Sequence, residues 1–290
     1  MITFSISHKT TYRYRRPVSL GVHSLQLRPR ESRDLRILSA DVVVTPAAPL
    51  VWANDVFGNT IATVSFSDPT DQLIVASRIV LEHHAEAWPL FGVASSAISF
   101  PFDYSEEERL DLGAFLVPQH PDPNGRLFDW AKGFVRSSPT DTLSLLKDLN
   151  AGISSWISYQ ARDDEGTQSP LETLDRGVGS CRDLALLLIE AVRRLGFGAR
   201  VVSGYLANQA GETDRWIDAG STHAWVEIYI PGAGWVTFDP TNRTVGGFGL
   251  IPVAVARDIR QAVPVSGSFV GLTDDFLGMA VEVEVLRQTT

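Results

Sequence analysis

The stretch "GVGSCRDLALLLIEAV" at residues 177–192 holds the single cysteine of the chain, Cys181, where two glycines give way to a long apolar run. A thiolate is the nucleophilic form of cysteine, so the placement of this residue bears directly on chemistry. Leu184 to Val192 read as a helix by length, and the run stops at "RRLGFG", with arginines in the last turn and Gly196 as a C-cap. Cys181 is therefore predicted at or next to a helix N-terminus. There the positive end of the dipole and the free backbone N–H groups stabilise an anion, and the same groups can receive the oxyanion formed when a thiolate attacks a carbonyl carbon.

A nucleophilic cysteine works with a histidine that takes and returns a proton, and a third group orients the imidazole. Of the six histidines, His223 opens the strand-like run "HAWVEIYI" and Asp239 closes the next one, "WVTFDPTN". Cysteine, histidine and aspartate thus follow one another on a helix, a strand and a strand. A hairpin loop centred on Pro231 sets His223 directly opposite Asp239, whereas a loop centred on "GA" misplaces Asp239 and requires a bulge. Adjacent His83 and His84 point to opposite faces of a strand and do not chelate one metal. His8, His23 and His120 lack neighbours at ligand spacing and read as surface or packed residues.

The elements that must position these residues follow from periodicity. Residues 1–85 read as strands: Ile2, Phe4 and Ile6 alternate with polar residues, and "ADVVVTP", "NTIATVSF" and "QLIVASRIVLEH" are β-branched runs parted by turn residues, among them the turn "NDVFGNT". Residues 86–125, with five prolines, read as a linker with one short helix starting at Ser105, whose capping-box partner is Glu108. A second unit, 126–290, opens with helices, and Leu146, Leu149, Ile153, Trp156 and Ile157 share one helical face. Ser169, Pro170 and Glu172 form a second capping box, for a helix ending near Gly177. "GARVVSGYL", "THAWVEIYI", "GWVTFDPT" and, last, "MAVEVEVL" read as strands, and "SFVGLTDDFLG" is placed as a loop over the cleft. Trp225, Tyr229 and Trp235 read first as core packing on a half-buried strand.

Composition narrows the classes. With 44% apolar and 20% charged residues the chain is an ordinary globular sequence. A net charge of -9, spread along the chain, repels polyanions, so nucleic acid is not an expected partner, and the basic run "RYRRP" fits the exposed face of a strand. The longest apolar stretch is too short to span a bilayer and contains Glu190, so no membrane partner is expected. One cysteine makes no internal disulfide, and the opening residues lack a signal-peptide core, so a cytoplasmic protein with a reduced thiol is expected.

The patterns "GSCRDLALLLIEAVRRLGFGARVVSGYL", "THAWVEIYIPGAGWVTFDPTN" and "VAVARDIRQAVPVSGSFVG" resemble the bacterial transglutaminase-like family, whose core shares its catalytic arrangement with papain-like cysteine proteases. The N-terminal strands, with "SISHKTTYRYRRPV", "RPR" and "NDVFGN", resemble the β-rich region that accompanies this core. The resemblance implies an α+β fold: an N-terminal antiparallel β domain followed by a papain-like, transglutaminase-like core with the cysteine at a helix N-terminus packed on an antiparallel sheet. It further implies Cys181 as nucleophile, His223 as general base and acid, and Asp239 as the residue orienting His223. The chain departs from the family at Arg182, where glutamine is frequent, and at "ARDI", where "GRDY" is frequent.

The chemistry implied is thiol-dependent acyl transfer on a peptide or side-chain amide, with a protein or peptide as amide donor. Water entry makes the enzyme an amidase or cysteine protease, and amine entry makes it a transglutaminase. No cofactor or metal is expected, since a cysteine–histidine acyl-transfer mechanism needs none, and with no calcium-loop pattern calcium activation is not expected. Trp156, Tyr159, Gln160 and Gln168 are the upstream candidates for a second oxyanion donor, and a structural role suffices for Asp183 in the first turn. The alternative is a non-catalytic module of the same fold that binds a peptide or protein.

Overall fold

In the computed structural model, which describes residues 1–161, 166–207 and 221–288, the alternation of the opening residues becomes a long strand with Phe4, Ile6, His8 and Thr10 buried. The first unit contains β1 (Ile2–Leu20), β2 (His23–Leu25), β3 (Leu35–Thr45), β4 (Leu50–Asn54), β5 (Thr60–Val64) and β6 (Thr70–His83). Between the units lie β7 (Ser99–Phe100) and α1 (Glu106–Leu112), the latter opened by the predicted Ser105–Glu108 capping box. The second unit contains α2 (Arg126–Lys132), β8 (Thr140–Asp141), α3 (Thr142–Trp156), β9 (Ser158–Tyr159), α4 (Pro170–Arg176), β10 (Val178–Gly179) and α5 (Cys181–Arg194). It continues through β11 (Ala199–Leu206), β12 (Thr222–Ile230), β13 (Gly234–Asp239), β14 (Thr244–Val245) and β15 (Leu250–Ala256). Three strands close the chain: β16 (Val265–Ser266), β17 (Phe269–Val270) and β18 (Phe276–Gln288).

Two antiparallel sheets build the first unit. One runs β18-β1-β6-β3, with β17 on the far half of β1, and the other runs β16-β2-β5-β4. Leu25, Leu27, Ala62, Val64, Leu73 and Val75 fill the space between them. The closing strands thus belong to the N-terminal sheets, which corrects the assignment of all of 126–290 to the core. It also corrects the placement of "SFVGLTDDFLG" over the cleft: Phe269 and Val270 pair with Leu20 and Ser19, and Arg16 holds Asp275 at 2.9 Å. Alternation identifies a strand but not its partner, which here lies at the other end of the chain.

The core is the antiparallel sheet β14-β13-β12-β11-β15 with helices on one face. α5 is apolar on nearly every side because it is enclosed by β11 and β12 below and by α2, α3 and α4 around it. α3 buries Leu145, Leu146, Leu149 and Ile153 toward it. Trp156, expected on that stripe, is 65% exposed: α3 ends there, the backbone becomes extended, and Ile157 takes the inward position. Among the described residues no helix is long and apolar enough to cross a membrane.

The two units meet along a seam where Phe4, Ile6, Ile79 and Leu81 pack on Tyr205, Ile251 and Val253. The "NDVFGN" turn caps this seam. Asn59 is fully buried, and its side chain donates to Val255 O at 2.7 Å and accepts from Val255 N at 2.9 Å, as a neighbouring strand would on the open edge of β15. His8 lies in the seam with Nδ1 2.9 Å from the Tyr205 hydroxyl and Nε2 3.1 Å from Thr10 Oγ1. Burial lowers its pKa from 6.5 to about 4, and burial also lowers that of His83, whose Nε2 meets Leu250 O at 3.0 Å.

These buried rings set an acid response. The unfolded chain takes up a proton at His8 near pH 6.5 while the folded chain resists until about 4, so stability is full above 6.5 and falls as the pH descends through that window. A tenfold difference in proton affinity is worth roughly 1.4 kcal/mol, so His8 accounts for a loss of about 3 kcal/mol by the acid end. Urea unfolding at several pH values checks this: the slope should flatten in His8→Gln, and an unchanged slope would refute the assignment.

Candidate active site

The turn that delivers the thiol is built by short-range contacts. Gly177 ends α4 in the left-handed conformation at φ 63°, Val178 and Gly179 pair in parallel with Ser158 and Tyr159, and Ser180 is the N-cap of α5. Cys181 is the first residue of that helix, half-buried against the core cluster. Asp183, fully buried, ties the approach together. Its carboxylate accepts from Ser180 N at 2.8 Å, Ser180 Oγ at 2.9 Å and Gln168 N at 2.7 Å. The negative charge in the first turn suits the dipole, and the Gln168 bond draws the preceding loop onto the helix start.

β12 brings His223 to the same end of the core: α5 packs on this strand, and its far end reaches Ala199, which pairs with Ile228, so the start of α5 lies toward the His223 end of β12. The hairpin register differs from both expected forms. Ile230 pairs with Gly234 and Val226 with Phe238, so the three-residue loop is centred on Gly232 and the ladder runs without a bulge. Extending this register puts Trp225, not His223, opposite Asp239. His223 and Asp239 are then diagonal neighbours on one sheet face, a spacing that side chains of this length can bridge. Bridge it they do: His223 Nε2 lies 2.9 Å from Asp239 Oδ2, with both side chains wholly buried.

The imidazole is supported from behind by Trp225, stacked at 6.1 Å between ring centroids and 26° between planes. Gly204 on β11 pairs with His223, and any Cβ there would run into Ile251 O and the Trp225 ring, so this position requires glycine. Asp239 is held from its own turn. Oδ1 accepts from Thr241 N at 2.9 Å and Asn242 N at 3.3 Å, and Oδ2 accepts from Asn242 Nδ2 at 2.8 Å as well as from His223. Burial pushes the Asp239 carboxyl up, but the charge of His223 and the hydrogen bonds from His223 and Asn242 outweigh it, and its pKa falls below the ordinary carboxylate value.

Of the three residues singled out, His223 and Asp239 are joined directly. Among the described residues no hydrogen bond links Cys181 to His223; in substrate-free enzymes such pairs are often long and tighten only when substrate is in place. Gln160 and Gln168, two of the four oxyanion candidates, line with Ser180 a cavity of about 230 Å³ immediately before Cys181. Trp156 faces solvent and Tyr159 is held on β9. Asn242 was not singled out from the sequence, although an asparagine three residues beyond an aspartate in "DPTN" is a signal of local side-chain to backbone bonding. Trp225 is 1% exposed, as core packing requires, and Tyr229 and Trp235 pack on each other. Among the described residues no group of three His, Cys, Asp or Glu side chains could hold a metal ion.

Comparison with known proteins gives this arrangement its family. Residues 4–82 match the bacterial transglutaminase-like N-terminal region, and residues 129–240 match the transglutaminase-like superfamily core. An uncharacterized protein of Mycobacterium tuberculosis is 26% identical over 279 residues, covering 91% of this chain and 86% of its own. A protein-glutamine gamma-glutamyltransferase of Pseudomonas aeruginosa is 29% identical over 231 residues, which is 78% of this chain but 32% of that protein. A crystal structure from Cytophaga hutchinsonii, provisionally designated a cysteine protease, shares the fold over 100% of this chain and 91% of its own, with a TM-score of 0.74 at 20% identity. A bacterial transglutaminase-like N-terminal region and a transglutaminase-like core thus follow one another in this chain, and it belongs to the transglutaminase-like superfamily.

Proposed function

We propose that the protein is a thiol-dependent acyltransferase or amide hydrolase in which Cys181, His223 and Asp239 act as a triad. The observation that carries this reading is the buried 2.9 Å contact between His223 on β12 and Asp239 on β13, with α5 packed on β12 and Cys181 at its first position. Asp239 engages Nε2, so Nδ1 is the nitrogen that exchanges a proton with the thiol. The thiolate attacks a peptide or side-chain amide carbon, and backbone N–H groups at the helix start receive the oxyanion. The C–N bond then breaks as His223 delivers its proton to the departing nitrogen, leaving a thioester. In the second half, His223 takes a proton from water or an amine, that nucleophile attacks the thioester, and the C–S bond breaks to restore the thiol.

Alkylation of Cys181 by iodoacetamide, followed by intact mass across pH 4 to 9, tests this reading. A free thiol, with a pKa of about 8.5, is scarcely ionised at pH 6. The triad predicts rapid labelling there, abolished in His223→Ala. Labelling as slow as that of a free peptide thiol, or equal in both proteins, would sink the enzyme reading and favour a binding module of the same fold.

A further inference from the structure

Asp239 has more donors than an orienting carboxylate needs. A carboxylate offers about four lone-pair directions, and here Thr241 N, Asn242 N, Asn242 Nδ2 and His223 Nε2 take them. Two of these donors compete for one oxygen: Asn242 Nδ2 at 2.8 Å and His223 Nε2 at 2.9 Å both address Oδ2. An acceptor already engaged by an amide N–H has less charge to offer the imidazolium beside it.

The turn that brings Asn242 back onto Asp239 is enforced from outside. Arg243 is the only non-glycine residue with positive φ among the described residues, at 57°, a conformation disfavoured for a side chain of this size. Its guanidinium donates to Ser154 Oγ at 2.5 Å and to Ser154 O at 3.3 Å near the end of α3, and Asn150 Nδ2 of the same helix donates to Thr244 O at 3.1 Å. Two side-chain attachments to α3 thus hold residues 243 and 244 where Asn242 must face the carboxylate. A turn that needed only a backbone cap would not require the amide to reach the oxygen that the histidine uses.

We propose that Asn242 is a positioning residue that sets how strongly Asp239 draws on the His223 ring, so that the carboxylate orients the imidazole without making it a strong base. The assignment rests on His223 being the acid–base group of the proposed reaction. Among the described residues, the ionisable groups supplied by the strands beside β12 and the start of α5 are Asp239 from β13, Tyr205 and Arg200 from β11, and Cys181, Arg182 and Asp183 from α5. Of these, Asp239 alone shares its oxygen between His223 and Asn242.

The test is an NMR titration of the His223 ring in Cys181→Ala protein, which removes the thiol, with and without Asn242→Ala. Loss of the competing donor should raise the proton affinity of His223 about tenfold, moving its pKa up by about one. A role confined to capping the turn predicts a lower melting temperature with the ring pKa unmoved or lowered, and that result overturns the proposal. Should the double variant not fold, the Asn242 side-chain amide protons of the Cys181→Ala protein provide the second measurement. Their shifts should track the His223 titration, and indifference to it would refute the assignment equally. Because the ring is read in a protein without the thiol, failure here is distinct from failure of the triad, which appears as slow alkylation of the wild type.

Discussion

Asp239→Asn is expected to lower thiol reactivity and acyl transfer at neutral pH by about a thousandfold or more while the protein stays folded. The reason is a tautomer. The backbone N–H groups of Thr241 and Asn242 both point at Oδ1, so an asparagine here must keep its carbonyl oxygen on that side. Its NH2 then faces His223 Nε2, which has to become an acceptor. The ring proton moves to Nδ1, the nitrogen proposed to receive the thiol proton. Iodoacetamide labelling at pH 6 reads the result directly, with circular dichroism as a check on folding. Equal labelling rates in wild type and Asp239→Asn would mean that the carboxylate does not govern the ring.

Glu190→Ala is expected to be the most destabilising single substitution in the core, by about 3–5 kcal/mol, because it strands buried positive charge. Glu190, Arg193 and Arg194 form a cluster at the far end of α5 in which the Glu190 and Arg193 side chains are wholly buried. Glu190 accepts from Gln119 N at 3.0 Å and His120 N at 2.9 Å and pairs with Arg193 at 3.1 Å and Arg194 at 3.3 Å. Arg193 directs its remaining donors to Phe115 O, Ala199 O and Arg257 O, and Arg194 reaches Asp122 and His120 O. Removing the carboxylate also leaves the two linker N–H groups without their acceptor. Urea unfolding measures the change as a shift in midpoint, and a loss under 1 kcal/mol would show that water or the arginines re-form the contacts.

That cluster marks a boundary of what the residues alone disclose. Two arginines in the last turn of a helix satisfy the dipole, so the sequence offered a sufficient local reason for them and no sign that they clamp the linker. Local signals carried far where the cause was local. The capping boxes at Ser105 and Ser169, the left-handed Gly177 and the start of α5 at Cys181 each follow from a few adjacent residues. The hairpin register did not, because a loop of "PGAG" composition admits several centres, and its resolution at Gly232 makes His223 and Asp239 diagonal partners. Asn242 escaped notice for a related reason: its effect lies in which oxygen it meets, and that depends on Arg243 and α3. The partner of β18 was hidden by distance along the chain.

Thr3 pairs with Gln288, so the first and last long strands of the chain lie side by side. The core is therefore an insertion within the β unit, spliced between β6 and β16. During synthesis β1 can pair with β6 early, but its other edge must wait for nearly the whole chain before β18 exists, whereas every strand of the core sheet emerges within a short span. The outer unit can therefore begin on β1 to β6 alone, but its sheets close only after the core has emerged, when β18 completes a scaffold around a core whose Cys181 end is already built.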